Sequence, residues 1–200
     1  MPLRSRPIEA YLADLSSASP APGGGSAAAL SGAVAAGLGL MVSSIAAKKG
    51  DTPELVRLRG RILPVRERFL SLADEDEQAF SEVISAFRLK KDDPARTQRI
   101  QHALHQAAKV PLETAELARD FLALLAELAP LGTKSSTSDA GVAALLSRAA
   151  LEAALLNVDI NLVSITDEKT KSGLAARRDA LLAEGRPLAE EVLALVRAHL

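Results

Sequence analysis

The chain has 200 residues with 48% hydrophobic but only 2% aromatic content, a formal net charge of -1 at pH 7 and no cysteine. That length builds one well-packed domain, taken as residues 1–200. The charge balance excludes a general nucleic-acid binder, which needs a basic surface, and the lack of cysteine excludes a disulfide framework or a thiolate metal site.

Alanine and leucine dominate, so helices are favoured over strands. Met1-Pro2-Leu3-Arg4-Ser5-Arg6 leads into an amphipathic segment where a signal peptide would carry an apolar core, which predicts a cytoplasmic protein. Residues 7–17 read as a short helix with Ile8, Tyr11, Leu12 and Leu15 on one face. Then comes Ser19-Pro20-Ala21-Pro22-Gly23-Gly24-Gly25-Ser26, a turn that opens into residues 27–47, which hold no charge and no proline. Three successive Gly N–H groups and Ser26 at a helix start can cradle an anion or a polar ring edge. Residues 15–47 are uncharged over a length that could cross a bilayer. Their Gly and Ser content, the Pro/Gly turn and the lack of flanking aromatics predict a buried central helix of a bundle, with no membrane partner.

Gly50-Asp51-Thr52-Pro53 breaks the chain, with Asp51 or Thr52 as N-cap and Pro53 near the first helical position. A long helix follows to about Leu89, with a kink expected at Pro64. Asp93 and Pro94 open the next helix, which reaches about Leu128 with a second kink expected at Pro111. Pro130 and Gly132 end it, residues 133–137 form a polar loop, and Ser138 caps a helix to about Ile165. Asp167 opens the last helix, with Leu174, Leu181, Leu188 and Leu195 at heptad spacing. No strand pattern and no repeat appear, so the expected fold is all-α, a bundle of long antiparallel helices.

The fifth helix has the clearest geometry. Asp139 and Asn157 are five full turns apart, so Asp139, Ala143, Leu146, Ala150, Ala153, Asn157, Asn161 and Ser164 share one stripe. Val142, Leu145, Ala149, Leu156, Ile160 and Val163, largely to one side of it, are expected in the core. Asn157 and Asn161, one turn apart, can grip a heterocycle or set helix register; Asp139 can act in a site or cap the helix. Asp74-Glu75-Asp76-Glu77 is the densest acidic run. Most such runs are solvated, but Phe69 and Phe80 are near, and a carboxylate buried beside them would be raised in pKa and suited to acid–base work. His102 and His105 lack the further ligands a metal would need and are expected at the surface. Neither a P-loop, a dinucleotide fingerprint nor a Ser–His–Asp arrangement is present.

Specific blocks carry the reading further. Leu15-Ser16-Ser17-Ala18-Ser19-Pro20-Ala21-Pro22-Gly23-Gly24-Gly25-Ser26-Ala27-Ala28-Ala29 resembles the opening signature of the cyclodeaminase/cyclohydrolase family. The resemblance continues through Asp74-Glu75-Asp76 with Ala79-Phe80 and Val110-Pro111. It resumes in Ser138-Asp139-Ala140-Gly141-Val142-Ala143-Ala144-Leu145-Leu146 and in Leu155-Leu156-Asn157-Val158 with Ile160-Asn161-Leu162, in family order over nearly the whole chain.

The resemblance implies an all-helical subunit, a homodimer, acting on a tetrahydrofolate derivative as a cyclodeaminase or a methenyltetrahydrofolate cyclohydrolase. It implies a carboxylate near the carbon that bridges N5 and N10, for which Asp139 and Asp76 are the candidates. Asn157 and Asn161 would read the pterin edge, Gly23, Gly24, Gly25 and Ser26 would hold polar substrate atoms, and Lys48 and Lys49 would meet the glutamate tail. No metal and no cofactor beyond the folate substrate is implied. Residues 44–51 keep only two lysines where the family shows a lysine-rich stretch, and Asp159 stands where a base is common. These departures keep a second reading open, a catalytically inactive helical dimer that binds a ligand or a partner.

Overall fold

Small side chains decide what lies at the centre. In the computed structural model, which describes residues 2–199, Gly23 caps a helix α2 (Gly24–Ala47) in extended conformation, and the expected glycine loop is already helical from Gly24. Before it stands a short helix α1 (Ile8–Leu15), whose expected apolar face forms in part: Tyr11 is buried and Leu15 packs against the core, while Ile8 and Leu12 are exposed. The long helices are α3 (Pro53–Phe87), α4 (Arg96–Leu128), α5 (Thr137–Ser164) and α6 (Glu168–Arg197). No strand occurs among the described residues.

Helix ends follow local chemistry. The Thr52 hydroxyl accepts from the Leu55 N–H with Pro53 at the first position, and Asp167 accepts from the Thr170 N–H. Two caps differ from expectation. Asp93 accepts from the Ala95 N–H, and α4 begins beyond it. At α5, Ser136 and Thr133 exchange bonds around a 3-10 turn, so the helix starts before Ser138. α3 and α4 continue through Pro64 and Pro111 without a break in the helix.

α2 packs between α3 and α5, while α4 lies across α3, α5 and α6. Glycines let α2 sit close: a methyl on Gly32 would come 2.5 Å from the Phe69 ring, and one on Gly39 2.9 Å from Phe121. Gly25 lies beside Asp76 and Gly32 beside Phe69, so α2 and α3 run antiparallel; Gly24 beside Asn157 and Gly132 beside Val42 show the same for α2 and α5.

One expectation fails instructively. Val142, Leu145, Ala149, Leu156, Ile160 and Val163 face outward, with Leu156 69% and Val163 75% exposed. The α5 core face is instead Ala140, Ala143, Ala144, Ala150, Leu151, Ala154, Leu155 and Val158. A helix apolar on all sides gives no periodic signal to separate inside from outside. α2 behaves alike, burying Ala28, Ala29, Ala35 and Ala36 while exposing Val34 and Met41. Both α2 and the segment Lys134–Ser164 are long and apolar enough to cross a membrane by length and composition, with half of each such window buried within the fold.

Candidate active site

The first turn of α2, the middle of α3, α4 and the C-terminal turns of α5 enclose a cleft of about 460 Å3. Gly23, Gly24, Gly25, Asp76, Asn157 and Asn161 line it together, with apolar walls from Phe80, Val83, Phe87 and Ile160. Six of the ten residues singled out from the sequence thus meet here, from three separate stretches of chain.

Asp76 brings a carboxyl group into the cleft. A methyl group on Gly25 would lie 2.1 Å from Asp76 Oδ1, so only glycine lets α2 approach the carboxyl group so closely. Burial is the main cause that raises its pKa from 3.8 to about 6; the Ser26 backbone N–H, which donates to it, pulls the other way, and the Glu77 charge adds to the rise. Its neighbours in the acidic run have other occupations. Asp74 accepts from the Leu3 N–H at 2.7 Å, Glu75 pairs with Arg68, and Glu77 turns toward Ser26 and Arg6.

Ser26 sits behind the cleft. Its fully buried hydroxyl accepts from Tyr11 Oη at 3.3 Å and donates to Glu77 at 3.4 Å, while the Arg6 guanidinium lies 5.8 Å from the Tyr11 ring centroid. Tyr11 is raised in pKa chiefly by its burial. The sequence reading missed Tyr11 and Glu77. The signal was the chain's lone tyrosine, which needs a hydrogen-bond partner if buried.

The two amides are anchored through their nitrogens. Asn157 Nδ2 donates to the Ala153 carbonyl, and Asn161 Nδ2 donates to the Asn157 and Ala107 carbonyls. Both side-chain oxygens are left to accept from a ligand, and Asn157 keeps a second Nδ2 hydrogen to donate.

Asp139, Lys48 and Lys49 are not brought to this cleft. Asp139 lies in the first turn of α5, eighteen residues or about 27 Å along the helix from Asn157. Lys48 and Lys49 follow the last turn of α2, exposed, about 36 Å from Gly24. Asp159 does not line the cleft; it pairs with Arg178 of α6. His102 and His105 line a separate open groove of about 690 Å3, where burial first, and then Lys109 and His102, lower the His105 pKa. No cluster of His, Asp and Glu suited to a metal exists among the described residues.

The formiminotransferase-cyclodeaminase family model matches residues 7–180. The chain belongs to that family. It is 34% identical to a methenyltetrahydrofolate cyclohydrolase of Methylorubrum extorquens over 96% of both chains. It is 33% identical to the formimidoyltransferase-cyclodeaminase of Sus scrofa, of whose length it spans 38%. Among solved structures, the formiminotetrahydrofolate cyclodeaminase of Thermotoga maritima superposes with a TM-score of 0.89 at 26% identity, covering 98% of each chain.

Proposed function

We propose that this chain is a one-carbon folate enzyme acting at the carbon that bridges N5 and N10 of a tetrahydrofolate derivative, as a methenyltetrahydrofolate cyclohydrolase or a cyclodeaminase. The observation that carries this reading is Asp76: a carboxyl group with a pKa of about 6, facing a mostly apolar cleft whose other polar groups include the backbone of Gly23–Gly25, the amides of Asn157 and Asn161 and Ser164. The amide oxygens of Asn157 and Asn161 suit the N–H donors along a pterin edge, and the apolar walls suit its rings.

At neutral pH Asp76 is mostly ionised, which favours the cationic methenyl bridge and lets the group act as a base. Water oxygen bonds to the bridging carbon as Asp76 takes the water proton. The tetrahedral carbon then loses its bond to N5, which receives that proton from Asp76, while the carbinol hydroxyl releases its own proton to solvent and becomes the carbonyl of a formyl group on N10. In the cyclodeaminase reaction, N10 attacks the protonated formimino carbon, Asp76 takes the N10 proton and passes it to the amino group, and that nitrogen leaves as ammonia as the cationic methenyl bridge forms. Only proton transfer and charge stabilisation are needed, so the proposal calls for no metal and no cofactor besides the folate. The full-length cyclohydrolase relative favours hydrolysis, and the superposing cyclodeaminase favours the second reaction.

The working form is proposed to be a cytoplasmic homodimer, because the outer faces of α2 and α5 are apolar and need cover. The test follows the methenyltetrahydrofolate chromophore with wild type, Asp76→Asn and a buffer blank. Decay faster than the blank and lost in the variant is expected. No acceleration of this substrate or of formimino-tetrahydrofolate would leave the inactive, ligand-binding reading in place.

A further inference from the structure

Whether a buried carboxyl group works as acid or base depends on the charges that face it. Around Asp76 these are few. α2 carries no charged residue from Gly24 to Ala47, and α4 and α5 line the cleft with uncharged side chains only. On α3, Asp74 is held by the Leu3 N–H and Glu75 by Arg68, which leaves Glu77 as the like charge that acts on Asp76. From α1 the titratable group is Tyr11, whose burial keeps it neutral.

The charge that opposes Glu77 comes from ahead of α1. Arg6 Nη1 lies 3.5 Å from Glu77 Oε1, and Arg6 Nη2 pairs with Asp14. The guanidinium stands 5.8 Å from the Tyr11 ring centroid. The Arg6 and Glu77 side chains are 16% and 26% exposed, so water screens this pair less than it would one on the open surface. Ser26 connects the pair to the cleft, because its backbone N–H donates to Asp76 while its hydroxyl donates to Glu77 at 3.4 Å. Among the described residues Arg6 pairs with Glu77 and Asp14 and not with Asp76, so it can act on Asp76 only through Glu77.

A Glu77 carboxylate partnered by a cation repels the Asp76 charge less than a free one does. Without that cation Asp76 would hold its proton to higher pH, and fewer molecules would carry the base that activates water.

We propose that Arg6 is a positioning residue for the reaction, which holds the Glu77 carboxylate and thereby keeps Asp76 an ionised base at neutral pH. For the use of that base the proposal rests on the folate reading above; for its tuning it rests on the Arg6–Glu77–Ser26 geometry. A residue of the N-terminal segment, outside the cleft lining, then sets the pH range in which the cleft works.

The experiment titrates Asp76 in wild type, Arg6→Met, Glu77→Gln and Arg6→Met/Glu77→Gln. Asp76 is followed by carboxyl NMR in isotope-labelled protein, its resonance assigned by its loss in Asp76→Asn, and in parallel by the pH–rate profile on methenyltetrahydrofolate. Arg6→Met keeps an apolar stem beside the Tyr11 ring and removes the charge. Its Asp76 midpoint is expected to rise by about half a pH unit, cutting the rate near pH 6 about twofold and leaving the rate at high pH unchanged. In the Glu77→Gln background the same substitution should leave the midpoint where it was, since no carboxylate remains for Arg6 to oppose. Arg6→Lys should restore the wild-type midpoint. A midpoint unmoved or lowered by Arg6→Met, or raised equally in both backgrounds, overturns the proposal. Should Arg6→Met not fold, Asp14→Asn decides the matter: it frees Arg6 for Glu77 and is expected to lower the midpoint, and a rise or no change overturns the proposal. A wild type inactive on both folates sinks the folate reading alone, because the NMR titration tests the tuning without substrate.

Discussion

The two ends of the α2–α5 pair are built from opposite materials. At the cleft end, glycine brings backbone onto a carboxyl group, a serine hydroxyl is held between Tyr11 and Glu77, and Asp76 is pushed to about pH 6. At the far end, Asp139 is half-buried and Lys48 and Lys49 are open to water. One end holds its carboxyl group in a fixed geometry within a single chain. The other offers charges with nothing yet to act on. A carboxylate gains chemical character from enclosure, and the close approach that encloses this one depends on Gly25 having no side chain.

The largest effect should come from the enclosed end. Asp76→Asn is expected to lower kcat by about 100- to 10,000-fold while helicity by circular dichroism is retained. The same variant should show a gain in stability with a defined pH dependence. The folded pKa lies above the unfolded value of 3.8, so the native state holds its proton longer, and wild-type stability falls as pH rises from about 4 to about 6. Removing that charge should therefore raise Tm above pH 6, by up to about 3 kcal/mol of stability, and change little at pH 4. A Tm difference that does not vary with pH would show that Asp76 is not the perturbed group.

Gly25→Ala comes next, because its methyl would occupy the place of the Asp76 carboxyl oxygen. It should cost about 1–3 kcal/mol in denaturant melts and at least tenfold in kcat. Gly32→Ala, which meets Phe69 away from the cleft, should destabilise comparably with a much smaller loss of kcat per folded molecule. Equal kcat losses in the two would mean that activity follows packing alone.

A subtler change is expected at Glu77. For hydrolysis, the rate should rise with pH through about 6 as Asp76 ionises, and Glu77→Gln should move that midpoint to lower pH, since the Glu77 charge helps hold the Asp76 proton. A midpoint unmoved or moved upward would deny Glu77 this influence. Smallest of all, Asp139→Asn should lower the unfolding free energy by only about 0.5 kcal/mol in denaturant melts, the share of a carboxylate in a first helical turn.

Much of this was readable beforehand and some could not have been. The Gly/Ala composition of residues 24–47 announced a helix that neighbours approach closely, and the cap at Thr52 and the Asn157–Asn161 spacing came through from local rules. The outward placement of Leu156, Ile160 and Val163 did not, because periodicity reports where apolar residues lie but not what covers them. Nor could the run at residues 74–77 reveal which carboxylate is enclosed. That depends on the phase of α3 against α2, fixed by Gly25 and Gly32 pressing on Asp76 and Phe69. Asp139 and Asp76 looked alike as sequence, and only the antiparallel course of the helices separates them.

The attachment of the N-terminal segment has a practical reach. The Leu3 N–H bonds to Asp74, Arg6 pairs with Glu77, and Tyr11 bonds to Ser26, so the first dozen residues are strapped across the back of the groove that frames Asp76. A bulky fusion placed ahead of residue 2 pulls on that strap, whereas the last helix ends at Arg197 and supplies no residue to the cleft lining. Affinity handles and fluorophores therefore belong after α6, and a preparation labelled at the front that proves sluggish should be relabelled at the back before its rate is believed.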